Sequence, residues 1–305
     1  MLHEDELAID DALVRALVDD TLPDLAGRPL ARLAVSGSSN ALFRLGDDLL
    51  VRLPRQPGGS ETIAKESRWL PFLAPALPVA VPEIVAVGPP GHGYPEHWSV
   101  VRWIDGNLPP VPPAPGSTDA LARDLAAFVA VLRDRPVPPG ALADPSLRWY
   151  RGEPLPALDG ATRQAIADCA ARPGLALDLD ACRRIWDDAM SEPAAVPEPR
   201  WLHADLLAEN ILVRDGRLRA VLDFGALTVG DPTVDLVVAW ELLDESGRDI
   251  FRAHLAVDDA QWRRGRAWAL AIALMTFGYY WHTMPARCAD RLVMARAVLA
   301  DARVG

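Results

Sequence analysis

The chain has 305 residues, half of them hydrophobic, enough for a substantial core in one large or two smaller units. A net charge of -11 argues against polyanion partners, because nucleic-acid affinity rests on basic residues that neutralise phosphates, and it suits a cationic or neutral small ligand better. Three widely spaced cysteines, Cys169, Cys182 and Cys288, form no CxxC pair and give neither a disulfide framework nor a zinc site, and Lys65 is the only lysine, so arginine must fill any role usually given to lysine.

The first twenty residues are acidic and helix-like and lack the basic start and apolar core of a secretory signal. The longest apolar stretch, Trp268–Trp281, falls short of the ~20 residues that span a bilayer. These features predict a cytoplasmic protein with no membrane partner, and they leave monomer and homodimer open. Leu33–Val35, Ala41–Leu45, Leu49–Leu53 and Trp98–Trp103 read as short strands, with Gly46-Asp47-Asp48 turning a hairpin. Between them, Thr62–Leu73 reads as a helix with Ile63, Leu70 and Leu73 on one stripe. Glu66 falls on that stripe. A carboxylate on an apolar face is costly unless paired, and the nearest cationic candidate on a strand is Arg52, whereas Glu61 and Lys65 are expected to face solvent.

Proline-rich breaks at 109–116, 136–140 and 193–199 punctuate the rest of the chain. Leu121, Leu125, Phe128 and Leu132 mark a helix behind a Ser117/Thr118 cap, and helices over Asp259–Thr283 and Pro285–Arg303 close the chain. The expected class is α+β: a small lobe, 1–105, with an antiparallel sheet plus helix, then a larger, mostly helical lobe, 106–305.

The segment from Trp201 to Leu236 carries the chemistry. Asp205, Asn210 and Asp223 are interleaved with two strand-like runs, Ile211–Val213 and Ala220–Leu222, around a turn at Asp215-Gly216. A loop would present Asp205 and Asn210, and the hairpin would return Asp223 beside them, gathering oxygen ligands as phosphoryl transfer requires. Asp231 before Pro232 is a good cap for a helix running through Leu243, and Asp235 is placed to be buried against the catalytic loop.

The pattern HxDxxxxN followed by DFG, with Gly230-Asp231-Pro232-Thr233-Val234-Asp235-Leu236 behind it, resembles the catalytic core of protein kinases and, more closely, the aminoglycoside phosphotransferase family. The resemblance implies a protein-kinase-like, two-lobed fold and an enzyme that moves the γ-phosphoryl group of ATP or GTP to a hydroxyl of a small molecule, with an aminoglycoside-like antibiotic as the preferred acceptor. Asp205 would be the catalytic base; Asn210 and Asp223 would hold Mg²⁺; His203, Asp231 and Asp235 would support the site. Ser36, Gly37, Ser38, Ser39 and Asn40 would form the nucleotide-covering hairpin, although taken alone the segment is a turn.

Arg52, supported by Glu66, stands where relatives carry a phosphate-binding lysine, and Val101, Arg102 and Trp103 would meet the purine edge. Ala204 replaces the Gly of the family's HGD. A negative φ there would make its methyl group harmless, and a positive φ would strain it. Glu241, Asp244 and Glu245 read as a solvated helix face or as negative charge for a polycation. Macrolides, sugars, fructosamines and choline-like alcohols are rival acceptors, and a catalytically silent nucleotide-binding module is the rival of another class.

Overall fold

A computed structural model describes residues 5–33, 39–191 and 198–304. The chain divides into two compact units. The first comprises the residues up to Pro75, Ala80–Asp105 and the short piece Leu222–Gly225; the second comprises Ala76–Val79, Gly106–Val221 and everything from Ala226 onward. The α+β expectation is met, with an antiparallel sheet and helices first and a mostly helical remainder.

In the first unit, helix α1 (Asp11–Thr21) starts at Asp10, whose carboxylate accepts from the Leu13 amide at 2.8 Å. Strands β1 (Leu30–Arg32), β2 (Asn40–Leu45), β3 (Leu49–Pro54), β4 (Ile84–Gly88) and β5 (Trp98–Arg102) form one antiparallel sheet in the order β1-β2-β3-β5-β4. The first strand therefore lies three residues before its expected place; Leu33 still donates to the Leu42 carbonyl, and Val35 lies outside the described residues. The β2–β3 hairpin turns through Gly46-Asp47-Asp48 as the sequence predicts, pairing Leu45 with Leu49 across a Gly46 at φ 61°.

Strand alternation then sorts the side chains. Leu49, Val51 and Leu53 point into a core shared with Phe43, Leu45, Trp98, Val100 and the α1 residues Val14, Leu17 and Val18. Arg52, and Ser99 paired with it across β3 and β5, must therefore face the other way.

Helix α2 (Gly59–Leu73) has no side-chain cap of its own. Glu96 supplies one, its carboxylate accepting from the Gly58 and Ser60 amides at 2.9 and 2.8 Å. Burial works to raise that carboxyl's pKa, but the Ser60 hydroxyl and the two amides outweigh it and hold it below the usual range. α2 buries Ile63, Glu66, Leu70 and Leu73 as the stripe predicts, and also Lys65 and Trp69. Lys65 is thus a correction: it is 8% exposed, not solvent-facing, because it sits four residues before Trp69 on a second covered face of the helix.

The second unit contains helices α3 (Asp119–Asp134), α4 (Pro139–Leu142), α5 (Asp159–Ala170) and α6 (Leu179–Ser191), and then strand β6 (Arg200–Leu202). Hairpin β7 (Ile211–Arg214) and β8 (Arg217–Val221) turns on Asp215 and Gly216, both at positive φ, the geometry that favours Asp-Gly in a two-residue turn. Strand β9 (Thr228–Gly230) pairs with β6, and helices α7 (Val238–Leu242), α8 (Glu245–Leu255), α9 (Asp259–Tyr280) and α10 (Pro285–Val304) follow. The predicted apolar positions of α3, Leu121, Leu125, Phe128 and Leu132, are all buried. Thr118 does not cap that helix: its hydroxyl donates to Asp244, which caps α8. α9 is buried nearly all round from Ala267 to Leu274 and packs against α10, α5 and α6, forming the centre of this unit. Among the described residues no helix is long and apolar enough to cross a membrane.

Candidate active site

In the second unit the chain leaves β6 into the loop 203–210. The Asp235 carboxylate accepts from the amides of His203 and Ala204 at 2.8 and 2.7 Å, so the base of the loop is hung on one buried side chain. Burial pushes the Asp235 carboxyl up, and the nearby His203 side chain and the two amides offset this only in part. Asp231 caps the 3₁₀ turn Pro232–Val237 through the Thr233 amide and hydroxyl at 3.0 and 2.8 Å. The helix expected through Leu243 is therefore that 3₁₀ turn followed by α7.

His203 is fully buried, and its Nδ1 accepts from the Asp205 amide at 3.3 Å. Asn210 donates from Nδ2 to the Asp205 carbonyl and to Asp205 Oδ2, both at 2.9 Å. The amide of Asn210 is thereby oriented, with its nitrogen on Asp205 and its oxygen on the other side.

The other Asp205 oxygen accepts from Arg151, a residue that no sequence motif singles out. Arg151 Nη1 also donates to the Ala204 carbonyl at 3.0 Å. Burial works to raise the Asp205 carboxyl, but the Arg151 charge, then His203, outweighs it and keeps the group below the usual carboxylate range. Asp205 is therefore an ionised carboxylate with one donor fixed on each oxygen.

Ala204 adopts φ 62° and is 1% exposed. This is the left-handed region, where a β-carbon costs roughly 1–2 kcal/mol that glycine does not incur. Ala204→Gly should relieve that strain, less the ~0.4–1 kcal/mol of extra freedom gained by the unfolded chain. The expected outcome is a stabilisation of about 0.5–1 kcal/mol, read as a raised melting temperature. A lowered melting temperature would refute the strain.

In the first unit, Arg52 donates through Nη1 and Nη2 to the two oxygens of Glu66, and through Nε to the Ser99 hydroxyl at 3.2 Å. Arg52 and Glu66 are 8% and 1% exposed, so this is a buried, fork-on-carboxylate pair. Burial acts to lower the Arg52 pKa, but Glu66 foremost, and then Asp223, overcome it and hold the guanidinium charged. Asp223 sits at φ 56°, accepting from the Gly225 amide at 3.2 Å. A β-carbon at Gly225 would lie 2.7 Å from the Thr62 side chain, so only glycine lets this turn approach α2 so closely.

At the expected purine edge, two backbone donors are already bonded within the first unit. The Arg102 amide donates to the Glu83 carbonyl at 2.9 Å and the Trp103 amide to the Asp48 carbonyl at 2.8 Å. Those two donors are committed to the sheet, Val101 is a buried strand residue, and the exposed Arg102 side chain pairs with Asp48 and Glu83. Of the expected phosphate-covering hairpin, Ser36, Gly37 and Ser38 lie outside the described residues; Ser39 accepts from the Arg55 amide, and Asn40 opens β2.

Glu241 is a second correction. It is fully buried, and neither a solvated face nor a surface for a polycation: it pairs with Arg291 of α10, and its other oxygen accepts from the Ala208 amide at 2.7 Å. Arg291 also donates to Glu209 at 2.7 Å, and Arg287 lies 3.3 Å from the same oxygen. Asp244 is likewise engaged, bonding Thr118 and the Gly116 and Gly247 amides, and only Glu245 is exposed.

Several solved structures are similar to this chain in fold. The chain resembles the GDP and kanamycin complex of APH(2")-IIIa at 22% identity and a TM-score of 0.68, covering 96% of this chain and 99% of that one. It resembles the apoenzyme of macrolide 2'-phosphotransferase MphH from Brachybacterium faecium at 23% identity and 0.60, covering 94% and 97%. The GDP complex of wild-type aminoglycoside 2'-phosphotransferase-IIIa matches at 20% identity and 0.69, covering 96% and 100%. No curated protein matches. These structures share the kinase-like fold, and a family model described as the phosphotransferase enzyme family, APH, matches residues 31–268. The chain is a small-molecule phosphotransferase belonging to that family.

Proposed function

We propose that the enzyme moves the γ-phosphoryl group of ATP or GTP to a hydroxyl of an aminoglycoside-like antibiotic, with Asp205 as the catalytic base. The observation that carries this reading is the Asp205 carboxylate itself, ionised and held by a donor on each oxygen in a loop anchored at both ends. A base so placed can orient an acceptor hydroxyl and take its proton, while most of the rate comes from placement and charge.

Arg52, fixed by Glu66 and Ser99, is the residue for the nucleotide phosphates; arginine keeps the charge of the usual lysine with a flat fork suited to phosphate. Asn210 and Asp223 fit Mg²⁺ by donor chemistry, because the fixed Asn210 amide turns a neutral oxygen away from Asp205, and Asp223 is a carboxylate. Bound there with the phosphates, Mg²⁺ would supply neutralisation of their charge. His203, Asp231 and Asp235 bind nothing in this reading; they hold the loop.

Support for the acceptor comes from the acidic chain and from the kanamycin complex among the similar structures. A macrolide is the second reading, favoured by the likeness to MphH. The test incubates the protein with Mg²⁺, with ATP or GTP, and with a panel of aminoglycosides and macrolides, and looks for the mass gain of one phosphoryl group. A gain on kanamycin is the expected result. Products from macrolides alone would move the acceptor, and no product from any aminoglycoside with either nucleotide removes the first reading.

A further inference from the structure

Arg151 lies in the second unit on the 3₁₀ turn Tyr150–Gly152, far in sequence from every motif, yet its side chain reaches the catalytic loop. That turn is fixed from outside. The Gly152 carbonyl accepts from the Asp231 amide at 3.0 Å, and a β-carbon on Gly230 would stand 2.0 Å from that same carbonyl oxygen. The glycine that opens the Gly230-Asp231-Pro232 signature thus makes room for the turn that carries Arg151.

The guanidinium is fixed as well. Nη1 donates to Asp205 and to the Ala204 carbonyl, Nε donates to the Tyr150 hydroxyl at 2.9 Å, and the group lies 4.9 Å from the centre of the Trp149 ring. Among the described residues Nη2 has no hydrogen-bond partner, so two N–H donors project from a positioned, 14% exposed side chain beside the base. The loop 203–210, His-Ala-Asp-Leu-Leu-Ala-Glu-Asn, contains no lysine or arginine. Its other carboxylate, Glu209, is taken by Arg287 and Arg291. A phosphoryl group approaching Asp205 meets a negative carboxylate, and the positioned cation in contact with that carboxylate is Arg151.

We propose that Arg151 is a further catalytic residue, donating from Nη2 to the oxygens of the phosphoryl group as it passes to the acceptor, an arginine finger supplied by the enzyme's own chain. The proposal rests on the reading of Asp205 as base. In the step, the acceptor oxygen bonds to the γ-phosphorus and the bond from that phosphorus to the β-bridging oxygen breaks. The nucleoside diphosphate leaves, the hydroxyl proton passes to Asp205, and Arg151 keeps its protons while stabilising the spread negative charge.

The test measures Mg²⁺-dependent transfer from GTP and ATP to kanamycin, and to water as nucleotide hydrolysis, for wild type, Arg151→Gln, Arg151→Lys, Arg151→Ala and Asp205→Ala, with the melting temperature of each. Arg151→Gln is expected to lower kcat by about 10²–10³, as loss of one transition-state donor does, with nucleotide KM little changed. Arg151→Lys, which keeps the charge but not the fork, should lose less and guards against a fold defect in the neutral variants. Added guanidinium should restore part of the kcat of Arg151→Ala and none of that of Asp205→Ala. Wild-type kcat in Arg151→Gln, or a loss confined to KM that guanidinium leaves untouched, overturns the proposal while the Asp205 reading stands. Equal turnover by wild type and Asp205→Ala overturns that reading and the proposal with it.

Discussion

Asp205→Asn is expected to lower kcat for phosphoryl transfer by about 10²–10⁴, the range for losing a positioned general base, with nucleotide KM nearly unchanged. The substitution keeps the shape and removes the carboxylate proposed to accept the proton, but it is not electrically silent. The carboxylate accepts from Arg151 on one oxygen and from Asn210 on the other. A carboxamide has one acceptor and one donor end, so in either orientation its NH₂ group faces another donor, at a cost of about 1–3 kcal/mol. A modest fall in melting temperature should therefore accompany the loss of kcat. Kinetics separate the two effects: a misplaced loop raises KM, whereas a missing base lowers kcat at saturating acceptor. An asparagine variant that transfers phosphoryl groups at the wild-type rate would remove Asp205 from the chemistry.

What the sequence disclosed depended on how local its signals were. The Arg52–Glu66 pair was legible because two periodicities constrain it: strand alternation turns Arg52 away from Val51 and Leu53, and helical spacing puts Glu66 on the stripe of Ile63 and Leu70. Asp235 was legible through the position of its signature, and the Asp215-Gly216 turn through its chemistry. The sequence could frame the question of Ala204 but not answer it, because φ is set by the loop between two anchors: Asp235 on the amide and Arg151 on the carbonyl.

Arg151 and Arg291 left no local signal. One lies 54 residues from Asp205 and the other 50 from Glu241, and nothing in either neighbourhood has the period of a strand face or a motif. Helix α5 was illegible for a related reason: its buried face is Thr162, Ala165, Ile166 and Cys169, mostly small residues that scarcely register as an apolar stripe. Glu241 was misread because the packing of α10 over α7, and not its own residue type, decides that it is covered.

That buried cluster yields the largest stability effect. Arg291→Ala leaves Glu241, fully buried, without its cation and Glu209 without its closest one, and breaking a buried pair from one side costs about 3–5 kcal/mol. For a unit of this size that is a fall in melting temperature of roughly 6–15 °C. The loss should not stay in α10, because Glu241 also holds the Ala208 amide; a Glu241 forced to take up a proton is a weaker acceptor, and the turn leading to Asn210 loosens. Activity should therefore fall at temperatures where the variant is still folded. The double replacement Glu241→Met with Arg291→Met removes both charges from the interior, so it should be less destabilised than Arg291→Ala, yet it lacks the acceptor for Ala208 and should recover stability without recovering activity. If instead the single variant melts with the wild type, the pair contributes nothing to the fold, and the link from α10 to the loop 203–210 fails with it.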